Sequence, residues 1–180
     1  MKLWLARHAR PLVAPGVCYG ALDVAADALA TQAAAERLAA TLPRGMVVYS
    51  STLQRCEQLA QALSALRPDL IQKSDARLRE MDFGQWEGQT WEAIGQSALD
   101  AWTADFAHYR PGGGESVHGF MQRVGAAWDA IDAIGPQPTL WISHAGVARA
   151  CSLLAAGVRS LSRSDQWPKA APGYGEWITF

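Results

Sequence analysis

The chain has 180 residues, 49% of them apolar and 18% charged, enough to bury one core across residues 1–180 and too little charge for a disordered tail or a coiled coil. Sixteen Lys and Arg against seventeen Asp and Glu leave a net charge of −1, so no basic field exists to hold nucleic acid or anionic lipid, and neither partner is expected. Cys18, Cys56 and Cys151 form an odd set without Cys-x-x-Cys spacing, which argues against a disulfide framework or a zinc site and for reduced thiols in a cytoplasmic protein.

In chain order, residues 2–7 form a compact apolar run that predicts a first strand and is too short for a secretory core. Helical spacing follows over 27–42, where Leu29, Ala33, Leu38 and Leu42 recur among Gln32, Glu36 and Arg37. A second strand is predicted at 46–50, and a second helix at 53–66 from Leu53, Cys56, Leu59, Ala60 and Leu63. Residues 85–134 carry no strand-like run. Helices are predicted there at 90–95, 97–109 and 116–134, with Ser116 suited to cap the last and Gly112–Gly114 as a turn, making a helical excursion over one end of the sheet. A strand at 138–143 leads into a helix over Ala145–Ala156 that Gly157 is placed to end, and the tail holds a last strand. Short apolar strands alternating with helices imply a parallel sheet buried on both faces.

In such a sheet the loops leaving the C-terminal strand ends share one crevice, and helices starting there point their free N–H groups at it. Three strand exits meet this description: Arg7-His8, Ser50-Ser51 with Arg55 just beyond, and Ser143-His144-Ala145-Gly146. The acids of Glu80-Met81-Asp82 and Glu87 lie beside a Gly-bounded turn. Two arginines, two histidines and a helix N-terminus in an otherwise neutral protein suit a phosphoryl dianion, which takes the planar, paired donors of arginine. A neutral imidazole can attack phosphorus, and a carboxyl can protonate the departing alkoxide and later deprotonate water.

Five segments carry a resemblance to the histidine phosphatase superfamily, also called phosphoglycerate mutase-like: Leu5-Ala6-Arg7-His8-Ala9, Ser50–Ala60 around Arg55, Glu80–Gly88, Pro111–Ser116, and Ser143-His144-Ala145-Gly146. They stand in the family's order and cover nearly the whole chain. The resemblance implies a three-layer α/β/α sandwich with a mostly parallel central sheet. It implies that His8 is the phosphorylated nucleophile, that Arg7, Arg55, His144 and the N–H of Ala145 bind the phosphoryl oxygens, and that Glu80 is the proton donor, with Asp82 its rival. No metal or other cofactor is implied. The flanking arginines are expected to lower the His8 pKa by like-charge repulsion, and a backbone carbonyl to fix its tautomer.

Two positions depart from the family pattern. Ala9 replaces a glycine, which matters only if φ there is positive, and Pro11 removes a hydroxyl and an N–H donor, a loss that Arg10 is placed to make good. The first loop, from Arg10 to Asp23, together with Glu80–Gly84, is most similar to the α-ribazole phosphatase branch. Tyr19, Trp86 and Trp91 are placed to line a pocket for a planar leaving group. Mutase-type phosphoryl transfer, non-catalytic binding of a phospho-ligand and a metallohydrolase are the alternatives, and the oligomeric state is left open. His108 and His118 are read as separate structural residues, not as a metal pair.

Overall fold

The computed structural model describes residues 3–132 and 137–180. Its strands are β1 (Leu3–Arg7), β2 (Val47–Ser50), β3 (Ile71–Ser74), β4 (Thr139–Ser143) and β5 (Trp177–Thr179). Its α-helices are α1 (Ala28–Thr41), α2 (Gln54–Leu66), α3 (Trp91–Ile94), α4 (Gln96–Ala104), α5 (Val117–Asp132) and α6 (Ala145–Ala155). The strands form one sheet in the order β3-β2-β4-β1-β5, parallel throughout except for β5, which runs antiparallel to β1. Among the described residues, no helix is long and apolar enough to cross a membrane.

Alternating strand side chains divide the core into two layers. On one face Ala6, Val48, Leu140 and Ile142 pack with Ala34, Leu38, Leu59 and Leu63 of α1 and α2. On the other, Leu3, Leu5 and Trp141 pack with Phe120, Val124, Val147 and Cys151 of α5 and α6. The three-layer α/β/α arrangement follows, because a sheet apolar on both faces needs a helical cover on each.

The structure departs from the sequence reading in three places. Strand β3 was not expected: it is a short edge strand whose Ile71 is 55% exposed, so it lacks the apolar run that marks the central strands. In α1 the helical period holds but the phase differs, since Leu29 and Ala33 face solvent while Thr31, Ala34, Ala35 and Leu38 face the sheet. Small alanines let the helix approach the sheet closely, which an apolarity count does not register. Helix α4 stops at Ala104 rather than running to 109, with turns over 105–108. Residues 133 and 134 of the expected helix, and residue 2 of the first expected strand, lie outside the described residues. Helix α5 does start where Ser116 caps it, the Ser116 hydroxyl accepting from Gly119 N at 3.1 Å.

Candidate active site

Parallel pairing of β1 with β4 brings their exits together, and His8 N donates to the Ser143 carbonyl at 3.0 Å. His8 and His144 are thereby buried side by side, ring centroids 5.1 Å apart. His8 Nδ1 lies 2.7 Å from the Ala9 carbonyl. A carbonyl only accepts, so the proton sits on Nδ1 and the Nε2 lone pair is free. Burial, then the charge of Arg55 and least of all that of Arg7, push the His8 pKa from 6.5 down to about 3, against an opposing effect of the Ala9 carbonyl. Both arginines lower it as expected, but desolvation, which the sequence reading did not include, comes first. Burial also holds His144 well below the ordinary histidine value, followed by His8 and Arg55. Its Nε2 meets Ser51 Oγ at 2.8 Å and Cys56 Sγ at 3.5 Å.

Arg55, in the first turn of α2, is fully buried, with its guanidinium donating to the carbonyls of Gly20 at 2.6 Å and Leu22 at 2.8 Å. Arg7 Nη1 donates to the Pro172 carbonyl at 3.1 Å. The Nε–H groups of Arg7 and Arg55 are both buried without an acceptor among the described residues. Unpaired buried donors are costly, and both arginines border the cavity beside His8.

Glu80 faces the same space. Its carboxylate accepts from Gly146 N at 2.9 Å and from Met81 N at 3.1 Å, which seats it at the start of α6, where Ala145 is the first helical residue. Asp82 instead closes a local turn by accepting from Gly84 N at 2.8 Å and does not line the cavity beside His8. That cavity measures about 380 Å³. Arg7, His8, Arg55, Glu80 and Tyr19 form its polar end, and Phe83, Trp91, Trp102, Phe106, Phe120 and Trp167 its aromatic walls, with Arg149 the further cation there.

Two of the residues expected at the site lie elsewhere. Arg10 has a side chain 67% exposed that pairs at 3.0 Å with Asp27, the cap of α1, because Arg10–Leu12 runs alongside residues 25–27, and it does not line the cavity beside His8. Trp86 is buried behind the cavity wall, packed on Trp102 and Tyr109. The concern over Ala9 also falls away, since among the described residues only glycines have positive φ. His108 and His118, read as separate, lie with ring centroids 5.2 Å apart, joined by the His118 N–H to Ala107 carbonyl bond at 2.9 Å.

Sequence reasoning named Glu87 only as an acid near Glu80, and it missed Tyr174. Glu87 binds the N–H groups of Ala21 and Phe83 at 2.8 and 2.9 Å, and that of Leu22, so it anchors the loop whose carbonyls hold Arg55. Tyr174, from the tail, lies against Arg7 and His8. The Gly173-Tyr174-Gly175 turn is its only mark in the sequence, and nothing local says where that turn packs.

An imidazole with a free Nε2 lone pair, two arginines and a carboxylate at a helix N-terminus thus meet at one cavity on a doubly covered parallel sheet, a set of charges suited to a phosphoryl group. The family model for the histidine phosphatase superfamily (branch 1) matches residues 3–169, and the chain belongs to that superfamily. A glucosyl-3-phosphoglycerate phosphatase of Mycolicibacterium vanbaalenii is 30% identical over 161 residues, covering 81% of this chain and 67% of its own. The native structure of a mycobacterial glucosyl-3-phosphoglycerate phosphatase has a TM-score of 0.80 at 27% identity, covering 99% of this chain and 88% of that one. An Escherichia coli K-12 protein provisionally named an alpha-ribazole-5'-P phosphatase has a TM-score of 0.84 at 24% identity, covering 99% and 89%, a likeness that shows the fold alone. The protein is a phosphatase of this superfamily, which favours hydrolysis among the readings left open by the sequence.

Proposed function

We propose that the protein hydrolyses a small phosphorylated metabolite through a phosphohistidine at His8. The observation that carries this reading is the convergence of an unprotonated, buried imidazole with two guanidinium groups whose Nε–H donors lack acceptors. The His8 Nε2 lone pair forms the N–P bond as the ester P–O bond breaks. Glu80 gives a proton to the departing alkoxide, then takes one from a water whose oxygen attacks phosphorus and releases His8. Arg7, Arg55, His144 and the Ala145 N–H hold the phosphoryl oxygens, whose charge they stabilise throughout.

Replacing His8 with Ala should abolish turnover of 4-nitrophenyl phosphate while circular dichroism stays that of the parent. Substantial residual turnover would remove the mechanism. Arg7→Ala should cost about 2–4 kcal/mol in kcat/KM, as loss of one transition-state donor does.

The aromatic walls suit a planar, largely apolar leaving group, and α-ribazole 5'-phosphate is the proposed substrate. One observation favours a second reading. Arg149 lines the cavity with its Nε buried and without an acceptor among the described residues, a donor suited to a carboxylate, and the 30% identical relative is named for a phosphoglycerate ester. Comparing kcat/KM for α-ribazole 5'-phosphate and glucosyl-3-phosphoglycerate decides between them, the higher value naming the class.

A further inference from the structure

Each of the two arginines beside His8 lies against a tyrosine. The guanidinium carbon of Arg7 is 3.9 Å from the ring centroid of Tyr174, and that of Arg55 is 5.4 Å from the ring centroid of Tyr19. The two phenol hydroxyls meet at 2.9 Å. Arg7, Tyr174, Tyr19 and Arg55 therefore form a continuous chain of contacts over residues far apart in sequence.

Both ends of that chain are anchored in the backbone. The Gly175 N–H beside Tyr174 reaches the carbonyls of Arg7 and His8 at 3.2 and 3.1 Å. Tyr19 precedes Gly20, whose carbonyl holds Arg55. Tyr174 is itself 42% exposed, so packing into the core does not account for its placement, and its ring and hydroxyl contacts are Arg7, His8 and Tyr19.

We propose that Tyr19 and Tyr174 are positioning residues, a pair that holds Arg7 and Arg55 at the separation needed to clamp one phosphoryl group. The inference rests on the reading of both arginines as that clamp. An arginine on a long flexible stem loses freedom when it engages an anion, and a ring beneath the guanidinium removes that freedom beforehand. The hydroxyl contact ties the two rings to each other, so neither arginine shifts alone. Two hydroxyls sharing one hydrogen bond use one proton between them, which leaves the other O–H free to donate outward.

The test is a double-mutant cycle on the full chain with inorganic phosphate as the titrant, by calorimetry, alongside KM and kcat for 4-nitrophenyl phosphate. Tyr174→Leu should weaken phosphate binding about fivefold, the upper scale of a partly exposed cation–π contact, with thermal stability near that of the parent. Tyr174→Phe keeps the ring and loses the tie, and should cost about threefold, in the range of one neutral hydrogen bond. In an Arg7→Ala background, Tyr174→Leu should cost nothing further, because its effect passes through Arg7. Full phosphate affinity in Tyr174→Leu, or an undiminished loss in the Arg7→Ala background, overturns the proposal. If Arg7→Ala itself binds phosphate as the parent does, the clamp reading fails instead.

Discussion

A methyl group on Gly146 would lie 2.2 Å from Glu80 Oε1, so the second residue of α6 has to be glycine for the carboxylate to reach the helix N-terminus. Elsewhere in a helix, glycine to alanine gains about 1 kcal/mol of propensity, but here the carboxylate has to move. Gly146→Ala should therefore slow phenyl phosphate hydrolysis more than that of 4-nitrophenyl phosphate, whose leaving group needs no proton. Equal losses would place the proton donor elsewhere. At the same scale, the depressed His8 and His144 pKa values make stability depend on pH. The unfolded chain takes up protons at these histidines below about pH 6.5, whereas native His8 resists protonation until about pH 3. Their contribution is complete above the unfolded value and falls as pH drops, by up to about 1.4 kcal/mol per pH unit for each histidine. Urea titrations at pH 7 and pH 5 check this, with a shallower dependence expected for His8→Asn. Depressed carboxylates such as Asp27 and Asp75 act in a lower window, below their ordinary value of 3.8.

Among the elements, the segment from Glu80 to Gly88 does more than supply an acid. Glu87 binds backbone N–H groups on both sides of the junction between this segment and the first loop, and through Gly20 and Leu22 it fixes Arg55. Glu87→Ala should lower stability by about 1–3 kcal/mol, as three backbone donors, two of them partly buried, lose a charged acceptor, and raise KM more than it lowers kcat. Urea denaturation and steady-state kinetics on one preparation measure both effects. The turn at 111–114 serves the same segment, because a Cβ at Gly112 would meet the Phe83 carbonyl at 2.2 Å. Its glycines were legible as a turn that lets the chain pass close, but what it passes was not. Strand β3 escaped notice for a comparable reason: an edge strand is held by its partner's backbone, and exposed side chains leave no pattern.

Across the whole molecule, the two faces of the sheet carry different burdens. The α1/α2 layer meets the site only through Arg55 and Cys56 in the first turn of α2, whereas Met81, Phe106, Val117 and Phe120 belong both to the α5/α6 core and to the cavity wall. Leu38→Ala should cost about 2–5 kcal/mol in stability while leaving kcat/KM of the folded protein close to the parent's. Trp102→Ala should do the reverse for aryl phosphates, weakening kcat/KM while costing less stability, since Trp102 lines the cavity and is only partly buried. Melting curves with kinetics on both variants check the asymmetry; equal kinetic losses would mean the faces are coupled.

The sequence by itself determined the alternation of strand and helix, the three strand exits, and hence the meeting of Arg7, His8, Arg55 and His144, because parallel pairing forces C-terminal strand ends to one edge. Tertiary structure alone decided what surrounds them: that Arg10 turns to Asp27, that Trp86 lies behind the wall, that Glu80 rather than Asp82 faces the cavity, and that Tyr174 arrives from the tail. The first set follows from periodicity and chain direction, which are local properties. The second depends on where loops distant in sequence come to rest, and that is fixed by packing, which no local pattern encodes.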